Sequence, residues 1–291
     1  MKRCIGTGSS IGRNILLVTE GNRSEPRLLK RLVEAFRTHY DYDVFWYNAN
    51  LHQMLDELFV GDEIDKDLDF LEHLRSCRTN VSQGDILDKE FSDIFLVFDM
   101  DPQDQKYDPD RLMKAAEYFN DSTENGKLYI NYPMLESFRH FSNLEDLSYL
   151  DIMVDMDGIR RYKELVGREG LSALSDISKI DDSTILRITE LNLRKANMIT
   201  GGGRDVPSEV SYEGITQSSI LTAQLDTFVG KGLIYILNTC VFNGFEYNPE
   251  RFYERLAQSN DVEGSLVLDD VDCRTRVKSN YRLRSYNRVL G

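Results

Sequence analysis

Three acidic groups in this chain are placed where carboxylates can act together. Glu20 directly follows the apolar run Asn14–Thr19 (NILLVT). Asp99 and Asp101, an Asp-x-Asp pair, follow Ile94–Phe98 (IFLVF), and Glu136 opens a helical stretch after Leu128–Asn131. If these apolar runs are parallel strands, their carboxyl ends form one edge, where ligands of α/β sheets bind. A hard divalent cation takes oxygen ligands, and alternate residues leaving a strand share a side, so Asp99 and Asp101 can face one ion. Two ions about 3.5–4 Å apart activate a water and stabilise the leaving oxygen in phosphodiester hydrolysis. Glu25 suits a ligand position, although a first-turn acid also answers the helix dipole. Arg139 and His140 lie i+3 and i+4 from Glu136, within reach of a scissile phosphate, with packing or a surface ion pair as their other role. Asp104 reads as a turn or cap residue. Asp-x-Asp after a strand also suits phosphatases and glycosyltransferases, and a lone acid in a strand-to-helix loop also serves as a cap.

These residues need a scaffold, and the apolar periodicity supplies one. NILLVT and IFLVF read as strands buried on both faces, joined by Asp43–Tyr47 and Leu128–Asn131. Between them, helical stripes run from Ser24 to Phe36, with Ser24 as cap and Pro26 in the first turn, then over Leu51–Val60, Asp62 to about Cys77, and Asp110–Phe119. Alternating strands and helices imply an α/β fold with a parallel sheet flanked by helices. Beyond about Asn143 helical periodicity dominates, over Ile159–Val166, Thr184–Met198, Ile215–Val229, Gly232–Phe242 and Pro249–Gln258. The expected organisation is a flexible N-terminus over residues 1–13, an α/β domain over 14–145, and a mostly helical region over 146–291 that ends in a basic tail, 274–291.

Hydrophobic residues make up 41% and charged residues 29% of the 291-residue chain, which excludes disordered and collagenous classes. No apolar run reaches the ~18 residues of a membrane helix, and residues 1–14 lack the apolar core of a signal peptide, so no membrane partner and a cytoplasmic location are expected. Cys4, Cys77, Cys240 and Cys273 form no CxxC pair, so neither a disulfide framework nor structural zinc is indicated. The net charge of −14 hides an asymmetry: six basic and no acidic residues lie from Arg274 to the end, leaving −20 for residues 1–273. In that tail Arg282 and Arg284, with Tyr281 and Tyr286 interleaved, suit phosphate pairing and base stacking, or docking on the chain's own acidic surface.

The order strand, Glu-Gly, helix, later strand, Asp-x-Asp resembles the TOPRIM domain shared by type IA and II topoisomerases, bacterial primases and OLD-family nucleases. The stretch from Glu20 to Pro26 (EGNRSEP) and the Pro133–Glu136 helix start look most like the RloB-like group and the TOPRIM effector of the PARIS system, nucleases of anti-phage defence. The resemblance spans roughly residues 14–142. It implies a Mg2+-dependent nuclease, with Mn2+ able to substitute, in which Glu20, Asp99 and Asp101 hold the metal and Glu136 and Glu25 complete it. It further implies a nucleic-acid substrate, DNA or RNA and transfer RNA among the options, and an abortive-infection role. A separate ATPase partner that holds the chain inert, or a topoisomerase or primase activity, are the alternatives. A homodimer through the helical region is a further expectation.

Other signals are weaker. Gly6–Gly12 has dinucleotide-fingerprint character but precedes the first strand, and Gly201–Gly203 with Arg204 lacks the Lys-Ser/Thr of a phosphate-binding loop, so it reads as a loop. His39, His52 and His73 have no partner at ligand spacing and read as structural or surface residues.

Overall fold

The computed structural model describes residues 13–38, 40–65, 67–76 and 84–266. The chain divides into two units, Met1–Phe252 and Tyr253–Gly291, and everything that follows concerns the first. The glycines at 6–12, the expected flexible N-terminus, His39, Cys4, Cys77, Cys273, and the basic tail with Arg282 and Arg284 lie outside the described residues.

Nine strands form: β1 (Arg13–Thr19), β2 (Tyr40–Trp46), β3 (Phe59–Val60), β4 (Glu63–Ile64), β5 (Asp93–Asp99), β6 (Asn120–Asp121), β7 (Gly126–Asn131), β8 (Met153–Asp155) and β9 (Leu233–Tyr235). The α-helices up to the middle of the chain are α1 (Ser24–Phe36), α2 (Leu51–Leu58), α3 (Phe70–Ser76), α4 (Gly84–Leu87) and α5 (Pro109–Tyr118). They continue with α6 (Met156–Arg160), α7 (Tyr162–Glu169), α8 (Asp182–Ile199), α9 (Glu209–Tyr212), α10 (Gln217–Lys231), α11 (Phe242–Tyr247) and α12 (Pro249–Leu266).

The central sheet has the order β2-β1-β5-β7-β6. Its first four strands are parallel, and β6 adds an antiparallel edge through the β6–β7 hairpin. Ile15–Val18 and Phe95–Phe98 are buried along their whole length, as strands covered on both faces must be. Helix α1 buries Leu28, Leu29, Leu32, Ala35 and Phe36, one stripe at the 3.6-residue period. The expected α/β sheet flanked by helices, followed by a helical C-terminal region, is therefore present.

Local chemistry departs from expectation at four points. Ser24 is the first helical residue of α1, Arg23 occupies the N-cap position, and no side chain caps that end. Helix α2 stops at Leu58, where the chain turns through Gly61 at φ 69° into the β3–β4 hairpin, so the acidic stretch after Asp62 becomes helical only at Phe70. The Gly232–Phe242 stretch is not one helix: Gly232, at φ 68°, ends α10, and Leu233–Tyr235 pairs antiparallel with β8. Three apolar residues next to a pairing partner satisfy their backbone groups better as a strand than as an isolated helical turn. Glu136 sits in a 3-10 turn, Leu135–Arg139, and not in an α-helix. Gly201–Gly203 is a loop, as expected, and the neighbouring Arg204 makes a bidentate pair with Asp151 at 2.8 and 2.9 Å.

Beyond Asn143, the helical elements pack against the sheet units. Arg31 of α1 reaches Asp182 of α8 at 2.9 Å and the Ile180 carbonyl at 2.8 Å. The backbone of Tyr132, one residue past β7, exchanges two hydrogen bonds with Leu237, at 2.8 and 2.9 Å. No described helix is long and apolar enough to cross a membrane.

Candidate metal centre

From β1 the chain crosses to β2 on one side of the sheet, whereas β5 and then β7 extend the other side. The order thus reverses between β1 and β5, and a crevice opens there at the carboxyl ends of the strands. Thr19 pairs with Val97 and Asp99 with Asn131. Glu20 therefore leaves β1 beside the end of β5, where Asp99 is the last strand residue. The chain after Asn131 carries Glu136 round to the same edge.

The electrostatics show that the five predicted carboxylates meet. Burial, then Asp101 and Glu25, push Glu20 up to about 7, while Lys163 and the Asp99 backbone amide pull it down. Burial pushes Asp99 well above the usual carboxylate range, helped by Glu20, Asp101, Glu136 and Glu25. Glu25 rises through burial and, more weakly, through Glu136. Asp101 rises through burial, opposed by its bond from Gln103. Each acid is raised by desolvation first and by like charge second, the pattern of a carboxylate cluster without its counter-charge.

The geometry explains how each side chain is held. The Asp99 carboxylate accepts the Leu135 backbone N–H at 2.7 Å, which ties the end of β5 to the turn bearing Glu136. Met100 between the two aspartates is fully buried. At Asp101 the backbone takes a left-handed φ of 42°, sparsely populated for a non-glycine residue and characteristic of functional sites. The pair therefore diverges from a simple strand alternation: Asp99 ends the strand and Asp101 begins a turn. His52 of α2 fixes that turn, its Nε2 lying 2.8 Å from the Met100 carbonyl and 3.2 Å from that of Asp101. An added Cβ at Gly21 would stand 3.3 and 3.4 Å from the Glu25 carboxylate oxygens, so Glu25 folds back over that glycine.

Lys163 of α7 completes the cluster and was not legible in the sequence. Its Nζ lies 3.5 Å from Glu136 Oε1, and its charge acts on Glu20, Glu25, Asp99 and Asp101 as well. Cys240 lies close enough for Glu25 and Asp99 to act on its thiol, which burial pushes far up, so it is an inert, fully buried group.

The other predicted residues separate. His140 is 2% exposed, with Nδ1 3.0 Å from the Tyr162 hydroxyl and Nε2 3.4 Å from Glu169. That burial removes it from the rim at which a phosphate would arrive. Arg139 is half-buried beside Tyr162, whose hydroxyl its charge acts on. Asp104 is a turn residue, accepting the Lys106 backbone N–H at 2.8 Å and Asn50 Nδ2 at 2.7 Å. His52 is structural, and His73 stacks between Tyr47 and Phe70.

Among the described residues no three His, Cys, Asp or Glu side chains stand ready as a metal-holding group. The donor set nevertheless fits a hard divalent cation. It is all oxygen, it carries excess negative charge, and Glu20 Oε2 is buried with no hydrogen-bond partner. Comparison with family models, curated proteins and solved structures gives no match for this chain.

Proposed function

We propose that this chain is a Mg2+-dependent nuclease that hydrolyses phosphodiesters of DNA or RNA. The observation that carries the reading is the convergence of Glu20, Asp99 and Asp101, with Glu25 and Glu136, at the point between β1 and β5 where the strand order reverses. A bound divalent cation would supply Lewis-acid activation of a water and neutralise charge on the scissile phosphate. Glu20, Asp99 and Asp101 would hold it, with Glu136 and Glu25 completing the set. The Leu135 N–H orients Asp99, and His52 holds the backbone of Asp101. Lys163, 71% exposed, offers a cation at the rim to an approaching polyanion.

The test is cleavage by the purified chain of plasmid, single-stranded DNA and total RNA, with Mg2+ or Mn2+ and with EDTA. Metal-dependent products, absent in Asp101→Asn, support the reading. Metal binding with no cleavage of any substrate rejects it.

A second reading, that a separate ATPase partner restrains the chain, has one favouring observation. The acids are not arranged to ligate an ion and Lys163 already engages Glu136, a combination that suits a latent state. A role in anti-phage defence rests on the motif resemblance of residues 14–142 alone. Co-purification of an ATPase that suppresses cleavage is the check on the partner.

A further inference from the structure

Beside the candidate metal centre lies an open groove of about 430 Å3, lined by Gln53, Asp101, Gln103, Asp104, Gln105 and Lys106. Asp101 belongs to both. The groove is therefore adjacent to wherever the carboxylates act, and its lining states what can enter. Half of its six residues are glutamines, whose amides both donate and accept hydrogen bonds. Its charges do not favour an anion, since two aspartates face a single lysine and that lysine is already paired with Asp56 at 2.6 Å. A phosphate is thus a poor occupant. A neutral, planar, hydrogen-bonding group suits it better.

The walls are fixed. Asn50 bonds Asp104 at 2.7 Å, Gln103 bonds Asp101 at 2.8 Å, and His52 holds the carbonyls of Met100 and Asp101. Gln53, on the wall formed by α2, and Gln105, on the loop after β5, are both exposed and make no side-chain hydrogen bond among the described residues. They are the amides left for a ligand.

We infer that this groove is a nucleobase subsite, in which Gln53 and Gln105 read an adenine of a single strand next to the phosphodiester to be cut. The inference rests on the proposed nuclease reading. Glutamine pairs in bidentate fashion with adenine N6 and N7. A base inside a duplex cannot enter so small a recess, whereas an unpaired base can splay out and offer its edges.

The experiment uses the full chain and short single-stranded oligonucleotides, in DNA and RNA series, that differ only in one base flanking the cleavage site. With Mg2+, wild type should prefer adenine at that position by about fivefold or more, the size of one good bidentate contact. Gln53→Leu combined with Gln105→Leu should bring the preference within about twofold while the non-adenine substrates are cut at the wild-type rate. An absent preference, or one unchanged in the variant, overturns the subsite. The DNA and RNA series show which sugar is used. A parallel binding titration with Ca2+ in place of Mg2+ separates the two ideas. An adenine preference in binding that the variant loses, with no cleavage by wild type, keeps the subsite and rejects the nuclease. No base preference in binding and no cleavage reject both.

Discussion

Lys163 Nζ and Glu136 Oε1, brought together from α7 and the Leu135–Arg139 turn, stand 3.5 Å apart at the edge where the strand order reverses. In the metal-free chain this ammonium is the positive charge that the whole acid cluster faces. Removing it with Lys163→Met should lower the metal-free melting temperature more at pH 8 than at pH 5, because more of the cluster is ionised at the higher pH. Saturating Mg2+ should narrow the difference from wild type. Equal destabilisation at both values would mean that Lys163 contributes only packing.

Glu20 sets a pH dependence with a defined sign. Its carboxyl titrates near 7 in the folded chain against an ordinary value of 4.5. The folded state thus holds this proton more tightly than the unfolded one, and the associated stability is present at low pH and lost as pH rises from about 4.5 through about 7. Glu25, Asp99 and Asp101 are raised in the same direction. Metal-free melting temperature should fall across this window, and Glu20→Gln should flatten the fall and exceed wild type at pH 8. A flat wild-type profile would contradict the burial of that carboxyl.

Cation binding should expel those protons. Calorimetric titration of Mn2+ near neutral pH, in two buffers of different ionisation enthalpy, should give heats that differ, and affinity should rise with pH. Buffer-independent heats would show that the acids are already ionised.

Asp99 separates ligation from architecture. Asp99→Asn and Asp99→Ala should both abolish metal-dependent cleavage. Only the alanine leaves the Leu135 N–H, now bonded at 2.7 Å, without its acceptor, at a cost of about 1–3 kcal/mol. Urea denaturation should place Asp99→Asn close to wild type and Asp99→Ala below it.

The junction of α1 and α11 provides a test of the fold independent of the site. A Cβ at Gly244 would lie 2.4 Å from Phe36 Cδ2, inside a buried contact. Gly244→Ala should therefore destabilise by about 1–3 kcal/mol through overpacking, measured by the urea midpoint, with the pH profile of the acid cluster retained.

What the sequence reveals here divides by range. The runs Ile15–Val18 and Ile94–Phe98, and the stripe Leu28–Phe36, show their state locally, because each must be apolar in the period of its own element. The strand ends then located Glu20, Asp99 and Asp101 together. Lys163 had no such signal: one lysine in a helical, charged stretch looks like any solvated residue until tertiary structure sets it against Glu136. Leu233–Tyr235 was unreadable for the same reason, since its strand state depends on Met153–Asp155, far away in sequence. His140 was misplaced because the i+4 rule assumes an α-helix, and the 3-10 turn directs it to Tyr162 instead.

The paired hydrogen bonds between Tyr132 and Leu237 have a consequence for the order of events on the ribosome. Strands β1, β5 and β7 emerge early, yet the segment that carries Glu136 toward them gains this anchor only after Leu237 has been translated. Asn238 then adds a bond to the Leu135 carbonyl at 3.1 Å, beside the N–H that orients Asp99. A nascent chain released at residue 145 would carry all five acids and still lack both anchors of their fifth member. The full carboxylate set is thus assembled late in synthesis, so truncated products of translation should be inert however much of the sheet they contain.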